Sequence, residues 1–94
     1  MEELVPLGTV VTLKDGDKRL MVVGRLQKAK EQETVYDYAA CLWPEGLIDS
    51  QHFYLFNHKD IKNFYYIGLQ DTMEFNFRYE LERQYKEMKK GGSK

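Results

Sequence analysis

Residues 7–26 read Leu7-Gly8-Thr9-Val10-Val11-Thr12-Leu13-Lys14-Asp15-Gly16-Asp17-Lys18-Arg19-Leu20-Met21-Val22-Val23-Gly24-Arg25-Leu26. Aliphatic and β-branched residues fill both ends of this run, and Asp15-Gly16-Asp17-Lys18 separates them. Glycine adopts a positive φ at no steric cost, which suits a tight turn between two strands. The run therefore predicts a β-hairpin with strands at residues 7–14 and 19–26.

The second strand of this hairpin is predicted to be central in the sheet. Residues 20–23 are apolar on both sides, which is typical of a strand that is covered on both faces. Gly24 then indicates a bend or a bulge. Residues 27–33 are polar and charged without Gly or Pro, and they fit either an exposed extension of the hairpin or a loop.

A third strand is predicted at residues 34–42, where the side chains alternate in character. Tyr38 belongs to one side of this strand, and Asp37, on the other side, is expected to face water. Residues 43–50 break the regularity because Pro44 lacks a backbone donor and the two residues after it favour a turn. We expect a loop there.

Two further strands are predicted before the C-terminal helix. Residues 53–56 fit a short strand or the approach to a single helical turn, which Asn57 caps and which ends near Ile61. The aromatic and β-branched residues of 62–68 predict a last antiparallel strand that ends at Gly68.

A long helix is predicted from the Asp71 cap to Lys90. Asp71 and Glu74 have the spacing of a capping box, and Gly91-Gly92 is expected to end the helix. Five residues recur at helical spacing and are predicted to bury against the sheet: Met73, Phe77, Leu81, Tyr85 and Met88. Phe75 and Tyr79 lie off that stripe, so a second side of the helix needs another partner.

These elements predict an α+β fold in a single domain, residues 1–90, followed by a flexible tail at 91–94. We expect a curved antiparallel sheet of four or five strands, or a small open barrel, with the long C-terminal helix packed across it or extending to a partner. A chain of 94 residues is long enough to bury a modest core.

Composition points to a cytoplasmic protein without a membrane span. The formal charge is −1, with 14 basic and 15 acidic residues spread along the chain, so no strong field attracts nucleic acid or anionic lipid. No apolar run approaches the roughly 20 residues that cross a bilayer. One cysteine, Cys41, cannot form an internal disulfide, and nothing near Met1 resembles a secretion signal.

No motif predicts catalysis, a metal site or a cofactor. The candidate residues are His52, His58, Cys41, Asp37 and Asp60, and they form no recognisable Ser, His and acid arrangement. The two histidines are six residues apart without a paired Cys motif, so surface or capping roles are favoured over zinc. The turn at 14–18 lacks the glycines of a phosphate-binding loop. We therefore predict a non-enzymatic protein with no cofactor.

Aromatic residues are more numerous than one sheet face and one helix stripe can readily hide. The chain contains 13 Phe, Trp and Tyr residues. Tyr and Trp are favoured at protein interfaces because they combine rigid contact area with a polar tip. A protein interface is therefore predicted, and a dense aromatic core is the alternative.

Several short motifs occur in the order of a known family. They are Leu7-Gly8-Thr9-Val10-Val11-Thr12-Leu13-Lys14, Lys18-Arg19-Leu20-Met21-Val22-Val23-Gly24-Arg25, Asp37-Tyr38, Pro44-Glu45-Gly46 and Phe56-Asn57-His58-Lys59-Asp60-Ile61. Over about residues 4–68 the chain resembles a small uncharacterised family of Gram-positive bacteria that is encoded beside LXG-domain toxins in type VII secretion loci. The resemblance implies an accessory role in toxin export, as a chaperone or targeting factor. It implies no catalytic residue.

Two functional hypotheses follow. In the first, the protein binds a helical region of a secreted toxin or another small export factor through five apolar anchors: Trp43, Tyr54, Phe56, Phe75 and Tyr79. Self-association through the helix would account for the aromatic surplus equally well. In the second, exposed rings stack on single-stranded RNA, with phosphates neutralised by Lys28, Lys30, Lys59 and Lys62. The balanced charge argues against nucleic acid.

Overall fold

The computed structural model describes residues 4–28 and 34–92, with side chains as far as residue 87. The fold is α+β, with one five-stranded antiparallel sheet and a C-terminal helix. The strands are β1 (Val10–Leu13), β2 (Arg19–Lys28), β3 (Val35–Trp43), β4 (Tyr54–Phe56) and β5 (Ile61–Tyr66), and the helix is α1 (Thr72–Gly92). The strand order is β4-β3-β2-β1-β5, so β2 is central and the sheet is open.

The predicted hairpin is present, and Gly24 marks a bulge as expected. Val11 of β1 lies opposite Leu20 of β2. The β2–β3 register shifts between Val22 and Gly24. Gly16 keeps an ordinary φ, since Gly8 and Gly46 are the glycines with positive φ in the described part of the chain. The tip of this hairpin therefore does not use the left-handed conformation that glycine permits.

The core lies on one face of the sheet and is centred on Tyr38. The buried apolar side chains that form it are Leu4, Val5, Val11, Leu20, Val22, Tyr38, Ala40, Phe56, Ile61 and Leu81. The Tyr38 hydroxyl accepts a hydrogen bond from Val5 N at 3.0 Å and lies 2.6 Å from His58 Nδ1. The N-terminal segment and the turn before β5 are thus tied to the same buried ring.

Asp37 does not face water, and that prediction is wrong. Only 8% of its surface is exposed. Its Oδ2 accepts a hydrogen bond from His58 N at 2.9 Å, and its own N donates to Asn57 Oδ1 at 3.0 Å. His58 N, in the single helical turn His58–Asp60, takes the place of water at one oxygen of this carboxylate, whereas Oδ1 is buried without a hydrogen-bond partner among the described residues. The turn itself follows Asn57, as predicted.

The helix begins where the sequence predicts and ends later. Asp71 Oδ1 accepts a hydrogen bond from Glu74 N at 2.9 Å, which satisfies one free donor of the first turn. The helix continues through Gly91 and ends at Gly92, so the glycine pair does not end it at Lys90. Glycine lowers helix propensity by about 1 kcal/mol but keeps its backbone N–H, so the hydrogen-bonded ladder can continue. Residues 29–33 and the side chain of Met88 lie outside the described part of the chain.

The predicted apolar stripe of the helix is only partly buried. Leu81 reaches the core and Tyr85 is half-buried, whereas Met73 is 79% exposed and Phe77 is also exposed. The stripe that faces the sheet is Glu74, Arg78, Leu81 and Tyr85. The spacing of apolar residues did not predict this stripe, because two of its four members, Glu74 and Arg78, are charged.

An ion pair explains that orientation of α1. Arg25 of β2 makes a bidentate contact to Glu74, at 2.5 Å to Oε2 and 2.9 Å to Oε1. Arg78 donates to Leu4 O at 2.8 Å and to Gln70 Oε1 at 3.2 Å. Arg25 and Arg78 therefore both have hydrogen-bond acceptors, and Glu74 accepts from Arg25, at the buried side of the helix. Met73 and Phe77 are turned away from the sheet as a result.

Candidate protein-binding surface

Most of the aromatic rings lie on the surface. Of the 13 rings, nine are exposed: Trp43, Phe53, Tyr54, Phe64, Tyr65, Tyr66, Phe75, Phe77 and Tyr79. Tyr38 and Phe56 are in the core. A dense aromatic core is therefore not what the chain forms, and the expected surplus of rings is present as exposed surface.

Four of the five predicted anchors are exposed, and one is not. Trp43, Tyr54, Phe75 and Tyr79 are exposed. Phe56 is only 3% exposed, so its assignment as an anchor is wrong. Phe56 lies opposite Tyr38 in the β3–β4 ladder, with ring centroids 5.4 Å apart, and the core covers both. Tyr54, two residues earlier in β4, is not covered by the core and is exposed.

Trp43 and Tyr54 bracket the first group of exposed apolar residues. The group, called here the β3–β4 patch, consists of Trp43, Leu47, Ile48, Phe53 and Tyr54. Its members lie at the end of β3, in the connection to β4 and at the start of β4. A cluster of this kind, with several large apolar side chains exposed over a short stretch, is characteristic of an interaction site.

The charged residues of this connection are acidic. Glu45 and Asp49 are exposed, and residues 43–54 contain no Lys or Arg. His52 Nδ1 lies 2.6 Å from Asp49 Oδ1. This hydrogen bond, together with one from Gln51 N, holds the pKa of the Asp49 carboxyl below its usual value. The patch is therefore apolar with an ionised acidic margin at neutral pH.

An arginine and a tyrosine extend the patch across the sheet. Arg19 of β2 lies opposite Trp43 of β3. The Arg19 guanidinium lies over the Tyr65 ring of β5, with Cζ 4.4 Å from the ring centroid. Sequence reasoning missed Arg19 and Tyr65, because their proximity depends on strand order: β1 lies between β2 and β5.

A groove adjoins the patch on the sheet. Its volume is about 710 Å³. Val23, Ala39, Leu55 and Phe53 supply its apolar lining, and Lys28 is its one charged side chain among the residues described. Phe53 belongs both to this lining and to the β3–β4 patch, so the groove adjoins the patch at this ring.

The helix carries the second group of exposed rings. Phe75 and Tyr79 are one turn apart on one flank of α1, and Phe77 is on the other. Arginines of the buried cluster lie beside two of these rings: Arg78 Cζ is 5.2 Å from the Phe75 centroid and Arg25 Cζ is 5.6 Å from the Phe77 centroid. Of the four exposed anchors, Trp43 and Tyr54 belong to the β3–β4 patch, and Phe75 and Tyr79 belong to α1.

The candidate catalytic residues lie in β3, in the β3–β4 connection and at the single turn before β5. Cys41 is buried in β3, and His52 pairs with Asp49 in the exposed β3–β4 connection. His58 contacts the Tyr38 hydroxyl, and Asp60 Oδ2 accepts a hydrogen bond from Asn57 N at 3.0 Å. Within residues 4–28 and 34–92, no three His, Cys, Asp or Glu side chains are grouped as metal ligands would be. No helix in this same part of the chain combines the length and the apolar character needed to cross a bilayer.

The fold and its surface define a small α+β domain with an open antiparallel sheet and three groups of exposed rings, in the β3–β4 patch, on β5 and on α1. Residues 4–77 match the model of a family described as a domain of unknown function (DUF4176), and the chain belongs to that family. The matched region contains the whole sheet and the first turns of α1, including Glu74. No curated protein matches the chain, and no solved structure does.

Proposed function

We propose that this protein is a non-enzymatic accessory module that binds another protein in the cytoplasm. Its partner is an LXG-type toxin, or a small export partner, of type VII secretion, for which it acts as a chaperone or targeting factor. The observation that carries the proposal is the exposure of nine of the 13 aromatic rings. The toxin is proposed as the partner because the ordered sequence motifs resemble those of a family encoded beside LXG toxins.

The β3–β4 patch is the surface proposed for the partner. Binding hot spots are enriched in Trp, Tyr and Arg, and the cores of interfaces are depleted in charge. Trp43 and Tyr54 are exposed in this patch, and Arg19 lies next to Trp43. The adjoining groove offers a recess beside Phe53 that an apolar side chain of the partner can enter.

The charge of the patch indicates the chemistry of the partner. Glu45 and Asp49 border the patch without a neighbouring Lys or Arg in the β3–β4 connection. A complementary partner segment therefore combines apolar side chains with basic residues at its margin. An amphipathic helix with an apolar stripe and flanking lysines or arginines satisfies both requirements.

Co-purification with a neighbouring LXG-domain toxin tests this proposal. We expect a stable complex with the wild-type chain, and loss of at least about tenfold in affinity when Trp43→Ala and Tyr54→Ala are combined. Tyr66→Ala is the matched control, because Tyr66 is an exposed ring outside the patch. Absence of a complex with the wild-type chain, or equal affinity in the patch variant, would overturn the proposal.

RNA binding is the second candidate, and one observation favours it. Trp43, Arg19 and Tyr65 place two exposed rings and a guanidinium along the sheet, an arrangement on which unpaired bases can stack. The acidic residues beside Trp43 and the net charge of −1 oppose binding of a polyanion. A salt-sensitive mobility shift with single-stranded RNA would favour this function, and absence of a shift at low salt would dismiss it.

A further inference from the structure

The groove beside the β3–β4 patch lies on the face of the sheet away from the core. Tyr38, Ala40 and Phe56 belong to the core cluster. Successive side chains of a strand point to opposite faces of the sheet, so Ala39 of β3 and Leu55 of β4 project away from the core. These two residues lie opposite each other in the β3–β4 ladder, and both line the groove. The groove is therefore built on the second face of the sheet.

Two irregularities of β2 coincide with one wall of this groove. The register against β3 shifts before Gly24, which leaves Val23 as the extra residue of a bulge. Leu26 has a positive φ of 53°, which is uncommon for a bulky residue. Val23, Gly24 and Gln27 line the groove on either side of this strained position. Bulges and strained residues occur disproportionately beside functional sites, where they redirect side chains. The shape of β2 therefore indicates a binding site.

The lining of the groove is largely apolar and carries one positive charge. Its volume of about 710 Å³ lies within the range of roughly 300–1,000 Å³ that is typical of ligand sites. Lys28 is exposed and is the one charged lining side chain among the residues that the structure describes. In such sites the apolar lining supplies contact area and a few polar groups fix orientation. An occupant that matches both features combines an apolar group with a carboxylate.

We propose that the groove binds one apolar side chain of the partner segment together with a neighbouring acidic residue, whose carboxylate pairs with the Lys28 ammonium. This inference rests on the proposed function, because it extends the same partner segment from the β3–β4 patch into the groove. Phe53 belongs to both surfaces and makes them continuous. The partner segment thus carries an acid in addition to the apolar and basic residues already expected of it.

The position of Lys28 sets the order of charges along the partner segment. Lys28 lies opposite Val35 at the start of β3, whereas Trp43 is the last residue of that strand and Glu45 follows it closely. Eight residues of extended strand span about 26 Å. The acid that faces Lys28 and the basic residues that face Glu45 are therefore at opposite ends of the segment. A helical segment needs about 17 residues to cover that distance.

A small probe tests the chemistry of the groove in the full chain without any toxin. Hydrocinnamate carries a phenyl ring and a carboxylate, and hydrocinnamide is its uncharged counterpart. In NMR titrations we expect both to shift the methyl signals of Val23, Ala39 and Leu55. Hydrocinnamate should bind about threefold more tightly, since an exposed ion pair contributes little. Equal affinities, or no shift of these methyl signals, would overturn the proposal.

Replacing Lys28 tests whether its ammonium is the source of that preference. Lys28→Gln is expected to remove the preference for hydrocinnamate over hydrocinnamide and to leave amide binding unchanged. Lys62→Gln is the matched control, because Lys62 is an exposed lysine of β5 outside the groove lining, and it should keep the preference. Circular dichroism verifies that each variant is folded. A preference that survives in Lys28→Gln would contradict the assignment of the carboxylate to Lys28.

Affinity for an LXG-type toxin separates this inference from the proposed function. Lys28→Glu is expected to weaken the complex by about fivefold, because it replaces attraction by repulsion, and Lys62→Glu should change it by less than about twofold. If the wild-type chain forms no complex, the proposed function fails and this occupant fails with it. If the complex forms and depends on Trp43 and Tyr54 but is unchanged by Lys28→Glu, only the present inference is wrong. Hydrocinnamate binding would then identify a site for a free carboxylate instead of a partner segment.

Discussion

At the residue scale, Gly68 marks a place where two backbone segments touch. A Cβ atom at Gly68 would lie 1.9 Å from Leu7 O and 3.2 Å from Thr9 N. Gly68 N also donates to Thr9 Oγ1 at 3.1 Å. The contact joins the end of β5 to the segment before β1, and only glycine permits it because both neighbours are backbone atoms.

We expect Gly68→Ala to destabilise the fold by about 1–3 kcal/mol, because the backbone at residue 7 or 68 must move. Urea denaturation measures the difference. Gly16→Ala is the control, since no atom lies within 4 Å of a Cβ at that position and its φ is ordinary. Equal losses at the two positions would show that the close approach to Leu7 is not the cause.

Tyr38 is the second residue on which the core depends. Its hydroxyl accepts from Val5 N and contacts His58 Nδ1. Tyr38→Phe keeps the ring packing and leaves buried polar groups without this partner, so we expect a loss of about 1–3 kcal/mol in the free energy of unfolding. Tyr66→Phe, at an exposed ring, should change it by less than about 0.5 kcal/mol. An unchanged midpoint for Tyr38→Phe would argue that water replaces the hydroxyl.

At the element scale, α1 is oriented by charge rather than by apolar contact. Arg25 and Glu74 have side chains that are only 3% and 11% exposed, and Leu81 is the helix residue in the core cluster. Removing one member of a buried pair leaves the other uncompensated. We therefore expect the helix position to depend strongly on Glu74.

Glu74→Ala is expected to cost about 3–5 kcal/mol, the range for breaking a buried ion pair. Arg83 and Glu80 form the matched control on the same helix, because they are 2.9 Å apart but 65% and 51% exposed. Glu80→Ala should cost less than about 1 kcal/mol. Urea denaturation of both variants makes the comparison. A small loss for Glu74→Ala would mean that apolar contacts hold the helix.

Both edges of the sheet are poorly suited to pairing with another strand. β4 is only three residues long. β5 has two register irregularities against β1 and carries Lys62. Short edges, bulges and lysines protect sheets from edge-to-edge association. We therefore expect side chains, rather than free backbone groups, to mediate the proposed protein binding.

At the scale of the whole molecule, one helix packs against a five-stranded sheet, and the nine exposed rings fall into three groups of three. Trp43, Phe53 and Tyr54 belong to the β3–β4 patch, Phe64, Tyr65 and Tyr66 lie on β5, and Phe75, Phe77 and Tyr79 lie on α1. The β3–β4 patch is the group proposed for the partner.

Trp43 is the single tryptophan, so its fluorescence reports on the patch directly. We expect the emission maximum to move to shorter wavelength when an LXG-type toxin binds, because the exposed indole becomes buried. A saturating toxin concentration that produces no spectral change would place the toxin contact away from Trp43.

Much of this fold could be read from local sequence. The hairpin, the Gly24 bulge, the single turn after Asn57 and the Asp71 cap all depend on residues close together in the chain. Alternation and helical spacing also predicted four of the five strands and the helix in order, and left residues 53–56 as a short strand or the approach to a turn. Such features need only backbone preferences and the separation of polar from apolar side chains.

Only the tertiary structure determined which side chains are exposed and therefore available for binding. Phe56 and Tyr54 look equivalent in sequence, but the core covers only Phe56. Asp37 is polar and yet buried, and Phe77 is apolar and yet exposed. For Asp37 and Phe77, a contact across the fold, from His58 N to Asp37 or from Arg25 to Glu74, overrides the local pattern. The physical reason is that hydrogen bonds and ion pairs between distant segments make polar burial favourable, and periodicity along one segment contains no information about them.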